Sequence, residues 1–293
     1  MAVEGIRKPA WLRRPTLGGS AAGEVRALMD RLGLHTVCRE ADCPNLGRCF
    51  ESGTATFLIL GDTCTRGCRY CAVGRRPPGA TLPPPDPAEP LGVAEAAAVL
   101  GLSYVVITSV TRDDIADGGA GHFSATVAAV RNALPGAGIE VLTPDFGGSP
   151  EALAAVAAAG VTVFNHNLET VRPLFAAVRP GASYDRSLEM LAAFHRLSPG
   201  TPTKSGLMLG MGESAEDVRR TLGDLACAGV SLLTLGQYLA PSRAHWPVDR
   251  YVDPAEFDEW KAEALGMGFE SVMSGPLVRS SFHAGLMRRE GSG

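Results

Sequence analysis

The chain lacks any apolar run approaching the ~20 residues that cross a bilayer as a helix. Its opening stretch, Met1 to Arg14, carries charges and prolines in place of the apolar centre of a secretory signal. Neither a membrane span nor export is expected. Positive charge is not in excess. Lys and Arg number 27 against 31 Asp and Glu, a formal net charge of −4, and this argues against a dedicated nucleic-acid binder. A disulfide framework is missing as well. Cysteines number seven, and six of them fall into two tight local triplets. Such triplets suit metal ligation better than cross-linking and fit a reducing cytoplasm. Long disordered segments are not expected away from the ends, because hydrophobic residues make up 45% of the chain and supply a sizeable core.

The most informative stretch is 57–71, Phe-Leu-Ile-Leu-Gly-Asp-Thr-Cys-Thr-Arg-Gly-Cys-Arg-Tyr-Cys. Its apolar start, 57–60, reads as a buried strand ended by Gly61 and Asp62. Cys64, Cys68 and Cys71 follow at once with C-x3-C-x2-C spacing. Three thiolates can hold three irons of a [4Fe–4S] cube and leave the fourth iron open, whereas such clusters ordinarily take four cysteines. A zinc knuckle and a C-x-x-C redox pair are the alternatives. The arrangement, with Tyr70 before the last cysteine, resembles the radical S-adenosylmethionine (SAM) superfamily. That resemblance implies that the amino and carboxylate groups of SAM chelate the open iron and that Tyr70 lies near its adenine.

A second triplet precedes the first. Cys38, Cys43 and Cys49 form a C-x4-C-x5-C set in which Pro44, Asn45 and Gly47 turn the chain. Alone, it also reads as a structural zinc site short of one ligand. Together with residues 59–71 and the C-terminal Val278-Arg-Ser-Ser-Phe-His283, it resembles the lipoyl synthase family from about Gly33 to Leu286. The resemblance implies an auxiliary [4Fe–4S] cluster on Cys38, Cys43 and Cys49, with Ser281 as its fourth ligand and Ser280 as a neighbour. Phe282 stands where the family motif has tyrosine. An alkoxide is a poorer partner for iron than a thiolate, which suits a cluster that must come apart.

From residue 93 onward, helical and extended patterns alternate. Strands are expected at 104–108, 139–142, 161–164, 204–209 and 231–235, with helices at 93–100, 123–134, 151–159, 187–197, 215–228 and 254–265. A further short helix is expected at 24–32. With the strand at 57–60 this makes six βα units, too few for a closed eightfold barrel. The expected fold is an incomplete (β/α)6 TIM-like barrel over 53–270. Extensions at 1–52 and 271–293 would hold the auxiliary cluster. Residues 75–90 are too rich in proline for helix or central strand. Trp11 is an expected anchor for the basic N-terminal arm, Trp260 is expected in the core, and Cys227 is read as a small buried hydrophobe.

Barrel enzymes place their sites after the C-terminal ends of strands, and polar residues gather there. Arg112, Asp113 and Asp114 follow the second strand. Asn165, His166, Asn167 and Glu169 follow the fourth and match a family segment. Glu213 lies in a glycine-rich turn after the fifth. Asn167 and Glu169 are candidates to bind the SAM amino or ribose groups. Glu213, Lys204 and Arg179 are further SAM or substrate candidates. Arg66, Arg69, Arg75 and Arg76 bring positive charge beside the cysteine loop and could attract an acidic partner or the SAM carboxylate.

The family resemblance implies insertion of two sulfurs, at C6 and C8, into an octanoyl chain on a lysine of a lipoyl carrier domain. It implies two SAM per lipoyl group, with the auxiliary cluster consumed as the sulfur source. No side chain deprotonates an alkyl C–H, so the hard step falls to the cofactor. The carriers would be the E2 subunits of 2-oxoacid dehydrogenases and the glycine cleavage H protein. Electrons would come from a flavodoxin or ferredoxin, and an iron–sulfur carrier would rebuild the cluster. A different radical SAM reaction, such as methylthio transfer, and a zinc scaffold without activity are the competing readings. Anaerobic metal analysis should find about eight irons and about eight sulfides per chain; zinc in a colourless protein would overturn the cluster reading.

Overall fold

The computed structural model describes residues 7–12, 20–36, 54–281, 284–285 and 287, without the side chains of 20–22, 24, 26 and 54. The first triplet, Cys38, Cys43 and Cys49, lies outside the described residues, as do Phe282 and His283.

Elements follow in the order α1 (Ser20–Leu32), β1 (His35–Thr36), β2 (Thr54–Ile59), β3 (Thr63–Cys64), β4 (Gly74–Arg75), α2 (Glu89–Val99), β5 (Tyr104–Ser109) and α3 (Ala120–Ala133). Then come β6 (Gly138–Leu142), α4 (Pro150–Ala158), β7 (Val163–Asn165), α5 (Arg172–Val178) and α6 (Tyr184–Leu197). The chain ends with β8 (Thr203–Leu209), α7 (Ala215–Cys227), β9 (Leu232–Gln237), α8 (Pro254–Gly266) and β10 (Ser271–Gly275). One eight-stranded sheet runs β1-β2-β5-β6-β7-β8-β9-β10. Every pairing from β2 to β10 is parallel, and only β1 joins antiparallel, His35 opposite Leu58.

All six expected strands are present, and together with their helices they make an α/β architecture on one mostly parallel sheet. Two edge strands extend the sheet beyond expectation. Two-residue β1 is too short to show a period, and β10, Ser-Val-Met-Ser-Gly, has too few apolar residues to read as buried. Helix α5, seven residues beginning Arg-Pro, was not expected either. The proline-rich stretch makes no helix or strand between Arg75 and Glu89.

Parallel strands covered on both faces are apolar almost throughout, and here alternate residues divide into two bodies. Val105, Ile107, Ile139, Val141, Phe164, Leu207, Leu209, Leu233 and Leu235 face the helices in the main core. There Phe164 stacks on Phe194 of α6 with ring centroids 3.9 Å apart. Burying each such side chain contributes roughly 1.5–3 kcal/mol. The intervening residues form the inner face: Tyr104 and Val106 pack with Ala284, and Val163 and Leu232 pack with Met287. The C-terminal segment therefore fills the concave side of the sheet.

Serine and aspartate caps set where the helices begin. Side chains of Ser149, Ser183, Ser214 and Asp253 accept from the backbone N–H of Ala152, Arg186, Asp217 and Ala255. Each cap is worth about 1 kcal/mol. Trp260 is buried, as expected. Trp11 is 44% exposed while Leu12 beside it is buried, so the leucine, not the tryptophan, anchors that turn. Cys227 is exposed, contrary to expectation. The buried face of α7 is Val218, Thr221, Leu222 and Leu225, and position 227 falls off that stripe.

Gly236 on β9 faces the returning C-terminal segment so closely that a Cβ would strike the Val278 carbonyl oxygen. Backbone meets backbone there, so neither side can rotate away. Gly236→Ala should lower unfolding free energy by about 1–3 kcal/mol, measured as a reduced urea midpoint with unchanged slope.

Candidate functional site

The site begins where β2 ends. Leu60 has φ 69° and Gly61 φ 90°, which swing the chain off the sheet. A leucine in the left-handed region costs on the order of 1 kcal/mol or more, so something must hold it. The buried Glu89 carboxylate accepts from the Leu60 N–H at 2.9 Å and lies 2.6 Å from His122 Nε2. Arg112 donates to the Leu60 carbonyl at 3.3 Å.

The loop that follows is clipped shut by the short parallel pair β3–β4, Cys64 opposite Arg75. Its backbone acceptors are already engaged. Arg76 N–H donates to the Cys64 carbonyl at 2.9 Å, and the Arg75 guanidinium to that of Cys68 at 3.0 Å. His245 Nε2 donates to that of Cys71 at 3.1 Å. Arg69 N–H reaches Val178 O at 2.8 Å, its carbonyl accepts from Trp246 N–H at 2.8 Å, and its guanidinium lies 4.7 Å over the Trp246 ring. The loop is pinned through its backbone, and the Cys64 thiol accepts only a long contact, 3.4 Å, from the Arg66 N–H.

Cys64, Cys68 and Cys71 line one open cavity with Tyr70, Asn167, Glu169 and Arg179. Thr108, Ser109, Thr143 and His166, from the ends of β5, β6 and β7, complete its wall. Burial pushes the Cys71 thiol up to about 11 and raises Cys68 too, against the pull of the Arg179 guanidinium. The Glu169 carboxyl is raised by burial, opposed by Arg179, Asn167 and Tyr70. Glu169 itself is held at φ 68° because its N–H donates to Gly206 O and its carbonyl accepts from Met208 N–H, each at 2.9 Å. Arg179 is fixed by the Asn167 and Leu168 carbonyls at 2.7 and 3.2 Å.

At the rim, Arg66 bridges Asp113 at 2.7 Å and Asp145 at 2.6 Å. Burial would raise the Asp145 carboxyl, but Arg66 overcomes it and the net shift is downward. The four arginines near the loop are thus not a free basic face. Arg66, Arg69 and Arg75 are engaged, and Arg76 is exposed.

A cluster with a polar co-ligand fits this cavity. Three soft thiol donors face it, and three buried polar atoms on its wall have no hydrogen-bond partner: Ser109 Oγ, Thr143 Oγ1 and Arg179 Nε. Buried polar atoms are seldom left so.

Of the residues singled out in the sequence, Cys64, Cys68, Cys71, Tyr70, Asn167, Glu169 and Arg179 converge on the cavity. Lys204 lies off it, fully buried, with Nζ bound to both Glu140 oxygens at 3.0 and 3.2 Å. Glu213 is also off it, accepting from the N–H groups of Gly210 and Met211 at 2.6 and 2.8 Å. Ser281 sits on the C-terminal segment, outside the cavity wall. Sequence reasoning missed Ser109, Thr143 and Asp145. The signal available was their shared position just past strand ends.

The model of the radical SAM superfamily matches residues 58–225. The chain is 56% identical over 280 residues to the lipoyl synthase of Methylococcus capsulatus, covering 95% of this chain and 86% of that protein. It is 54% identical to that of Trichlorobacter lovleyi, covering 95% and 97%, and 52% identical to that of Thiobacillus denitrificans, covering 95% and 88%. Among solved structures, a maturase of the [FeFe]-hydrogenase aligns with TM-score 0.58 at 11% identity over 85% of this chain and 62% of that one. Coproporphyrinogen III oxidase from Escherichia coli, a radical SAM enzyme, aligns with TM-score 0.54 at 12% identity over 82% and 60%. Those two likenesses concern the fold alone.

His166 is buried within the wall. Its neutral ring donates from Nδ1 to the Thr143 carbonyl at 2.8 Å and accepts at Nε2 from the Ser187 hydroxyl at 3.0 Å. Burial, aided by Arg179, lowers its pKa to about 4. The folded value lies below the unfolded value of about 6.5. The stability from its neutral form is therefore complete above pH 6.5 and is lost as pH falls toward 4. Between pH 7 and pH 5 the apoprotein should lose about 2 kcal/mol through this residue, seen as a steeper fall in urea stability than in His166→Gln.

Proposed function

The chain belongs to the lipoyl synthase family of radical SAM enzymes, and on that premise we propose that Cys64, Cys68 and Cys71 hold its SAM-cleaving [4Fe–4S] cluster. The reaction of the family is insertion of two sulfur atoms into a protein-bound octanoyl chain, at C6 and C8. The observation that carries the assignment is the meeting of three cysteine thiols, a half-buried carboxylate and a buried guanidinium in one cavity with unpartnered polar atoms.

When bound, the cluster supplies the electron that splits SAM into methionine and a 5′-deoxyadenosyl radical able to take hydrogen from an alkyl carbon. The protein's own part is binding and exclusion. Burial keeps the Cys68 and Cys71 thiols protonated until metal displaces their protons. The Arg179 guanidinium beside Cys68 offsets the charge that ligation creates there. Glu169, oriented by Asn167 Nδ2 at 3.1 Å, is placed to accept from the amino group of SAM. Tyr70, half-buried beside Glu169, offers a flat surface for adenine. Lys204 and Glu213 act at one remove, the first by neutralising Glu140 and the second by closing the Gly210–Met211 turn. The walls of β5 to β8 hold the acyl chain away from water, which would otherwise quench the radical's selectivity.

The sulfur donor is a second [4Fe–4S] cluster, consumed as a substrate, on Cys38, Cys43, Cys49 and Ser281, at a ratio of two SAM per lipoyl group. The Ser281 hydroxyl has no hydrogen-bond partner among the described residues, whereas that of Ser280 is taken by Asn165 and Asn167. This supports Ser281 as the ligand. Residues 53–270 are the catalytic unit in this reading, and 1–52 with 271–293 form the auxiliary-cluster unit. The acceptors are octanoylated carrier domains, namely the E2 subunits of 2-oxoacid dehydrogenases and the glycine cleavage H protein. A flavodoxin or ferredoxin gives electrons, and an iron–sulfur carrier rebuilds the donor cluster. No helix among the described residues is long and apolar enough to cross a membrane, and cytoplasmic action fits these partners.

Alanine at Cys64, Cys68 or Cys71 should abolish both SAM cleavage and sulfur insertion. Alanine at Cys38, Cys43 or Cys49 should spare formation of 5′-deoxyadenosine and abolish lipoyl product. Anaerobic turnover with an octanoyl-lysine peptide, read by mass spectrometry, checks both. Unchanged lipoyl yield from the second set would remove the auxiliary cluster as sulfur source.

A further inference from the structure

After β10 the chain turns back into the concave side of the sheet. Val278 N–H donates to Gly275 O at 3.1 Å, and the Val278 carbonyl sits against Gly236. Further on, Ala284 packs on Tyr104 and Val106, and Met287 packs on Val163 and Leu232. Between these apolar seats stands one polar fixture. The Ser280 hydroxyl accepts from Asn165 Nδ2 at 2.8 Å and donates to Asn167 Oδ1 at 3.1 Å.

Both asparagines are themselves held. Asn165 Nδ2 also donates to Glu140 Oε1 at 2.8 Å, and Glu140 is locked by Lys204 at 3.0 Å and by Tyr104 Oη at 3.2 Å. Asn167 Nδ2 donates to Glu169. An unbroken line of hydrogen bonds thus runs from a buried ion pair, through the serine hydroxyl, to the carboxylate in the cavity wall. Lys204 and Glu140 are 0% and 1% exposed, so water does not compete at the ion-pair end of this line.

We propose that Ser280 is a positioning residue. Its hydroxyl pins the C-terminal segment to Asn165 at the end of β7 and Asn167 just past it, and thereby sets where Ser281, the next residue, presents its own hydroxyl. The inference rests on the reading that Ser281 ligates the donor cluster. The physical reason is local. An alkoxide ligand is weak, so it binds only if the backbone holds it in place. Apolar packing of Ala284 and Met287 fixes depth in the sheet but not rotation about the segment. A two-sided hydrogen bond fixes rotation. Loss of such an orienting partner typically costs 10–100-fold in metal affinity or activity.

The test uses Ser280→Ala, Ser280→Thr, Ser281→Ala and the double alanine variant. In the apoprotein, Ser280→Ala should raise hydrogen–deuterium exchange in peptides spanning 276–287 and leave those of 57–71 unchanged. After anaerobic reconstitution, Ser280→Ala should lose iron from the donor cluster to a chelator about 10-fold faster. It should make lipoyl product at least about 10-fold more slowly while forming 5′-deoxyadenosine within about twofold of the parent. Threonine, which keeps the hydroxyl, should restore all three, and the double variant should be no worse than Ser281→Ala. If Ser281→Ala behaves like the parent, the ligand reading itself fails. If Ser281→Ala is defective while Ser280→Ala is normal or its effect is additive, the positioning role fails. Equal loss of SAM cleavage and lipoyl formation in Ser280→Ala would likewise sink it, since that is the mark of general misfolding.

Discussion

A parallel strand covered on both faces has to send every second side chain away from the helices, and that constraint organises this molecule. The outward residues are apolar and make one core with the helices. The inward ones are not all apolar. Sequence mixes Val106, Val163 and Leu232 with Glu140, Asn165, Lys204 and Thr234 on the same concave face. Charged groups buried in this way are tolerated only when paired, and Lys204 and Glu140 pair with each other. Their role is structural support for the polar layer above them.

The site stands on that layer and is kept in place by strain that other residues restrain. Leu60 and Glu169 both occupy left-handed backbone conformations, unusual for their types. One opens the cysteine loop and the other ends the polar turn after β7. Each is held by hydrogen bonds from elements distant in sequence: Glu89 and Arg112 for Leu60, and the backbone of β8 for Glu169. The two strained residues bracket the thiol cavity, so the cavity's shape depends on contacts that form only when the whole sheet has assembled.

Electrostatics follow from the same burial. Thiols, a carboxyl and a phenol are all shifted toward their neutral forms by loss of water, and Arg179 is the cation that opposes the shift for each of Cys68, Glu169 and Tyr70. A cofactor bearing iron and a zwitterionic amino acid would meet a cavity whose Glu169 and Arg179 side chains are already oriented by their hydrogen bonds. Such preorganisation is the main service a protein renders to a cofactor that carries the difficult chemistry.

Spacing alone determined a good deal. C-x3-C-x2-C after an apolar strand marked the cysteine loop of the cavity, because three thiols close in sequence need no fold to be neighbours. The repeat of helical and extended periods marked six strands and most helices, because those periods are properties of single elements. Other features escaped it for physical reasons. Two-residue β1 and polar β10 join the sheet through backbone partners and leave no side-chain period. Cys227 could not be placed on a helix face without knowing which face met the core. Lys204 and Arg179 looked alike as free cations. Only tertiary contacts put Arg179 on the cavity wall and bound Lys204 to Glu140 beneath it. The two adjacent serines were likewise equivalent in sequence, and it was Asn165 and Asn167, more than a hundred residues away, that took the hydroxyl of Ser280 and told the two apart.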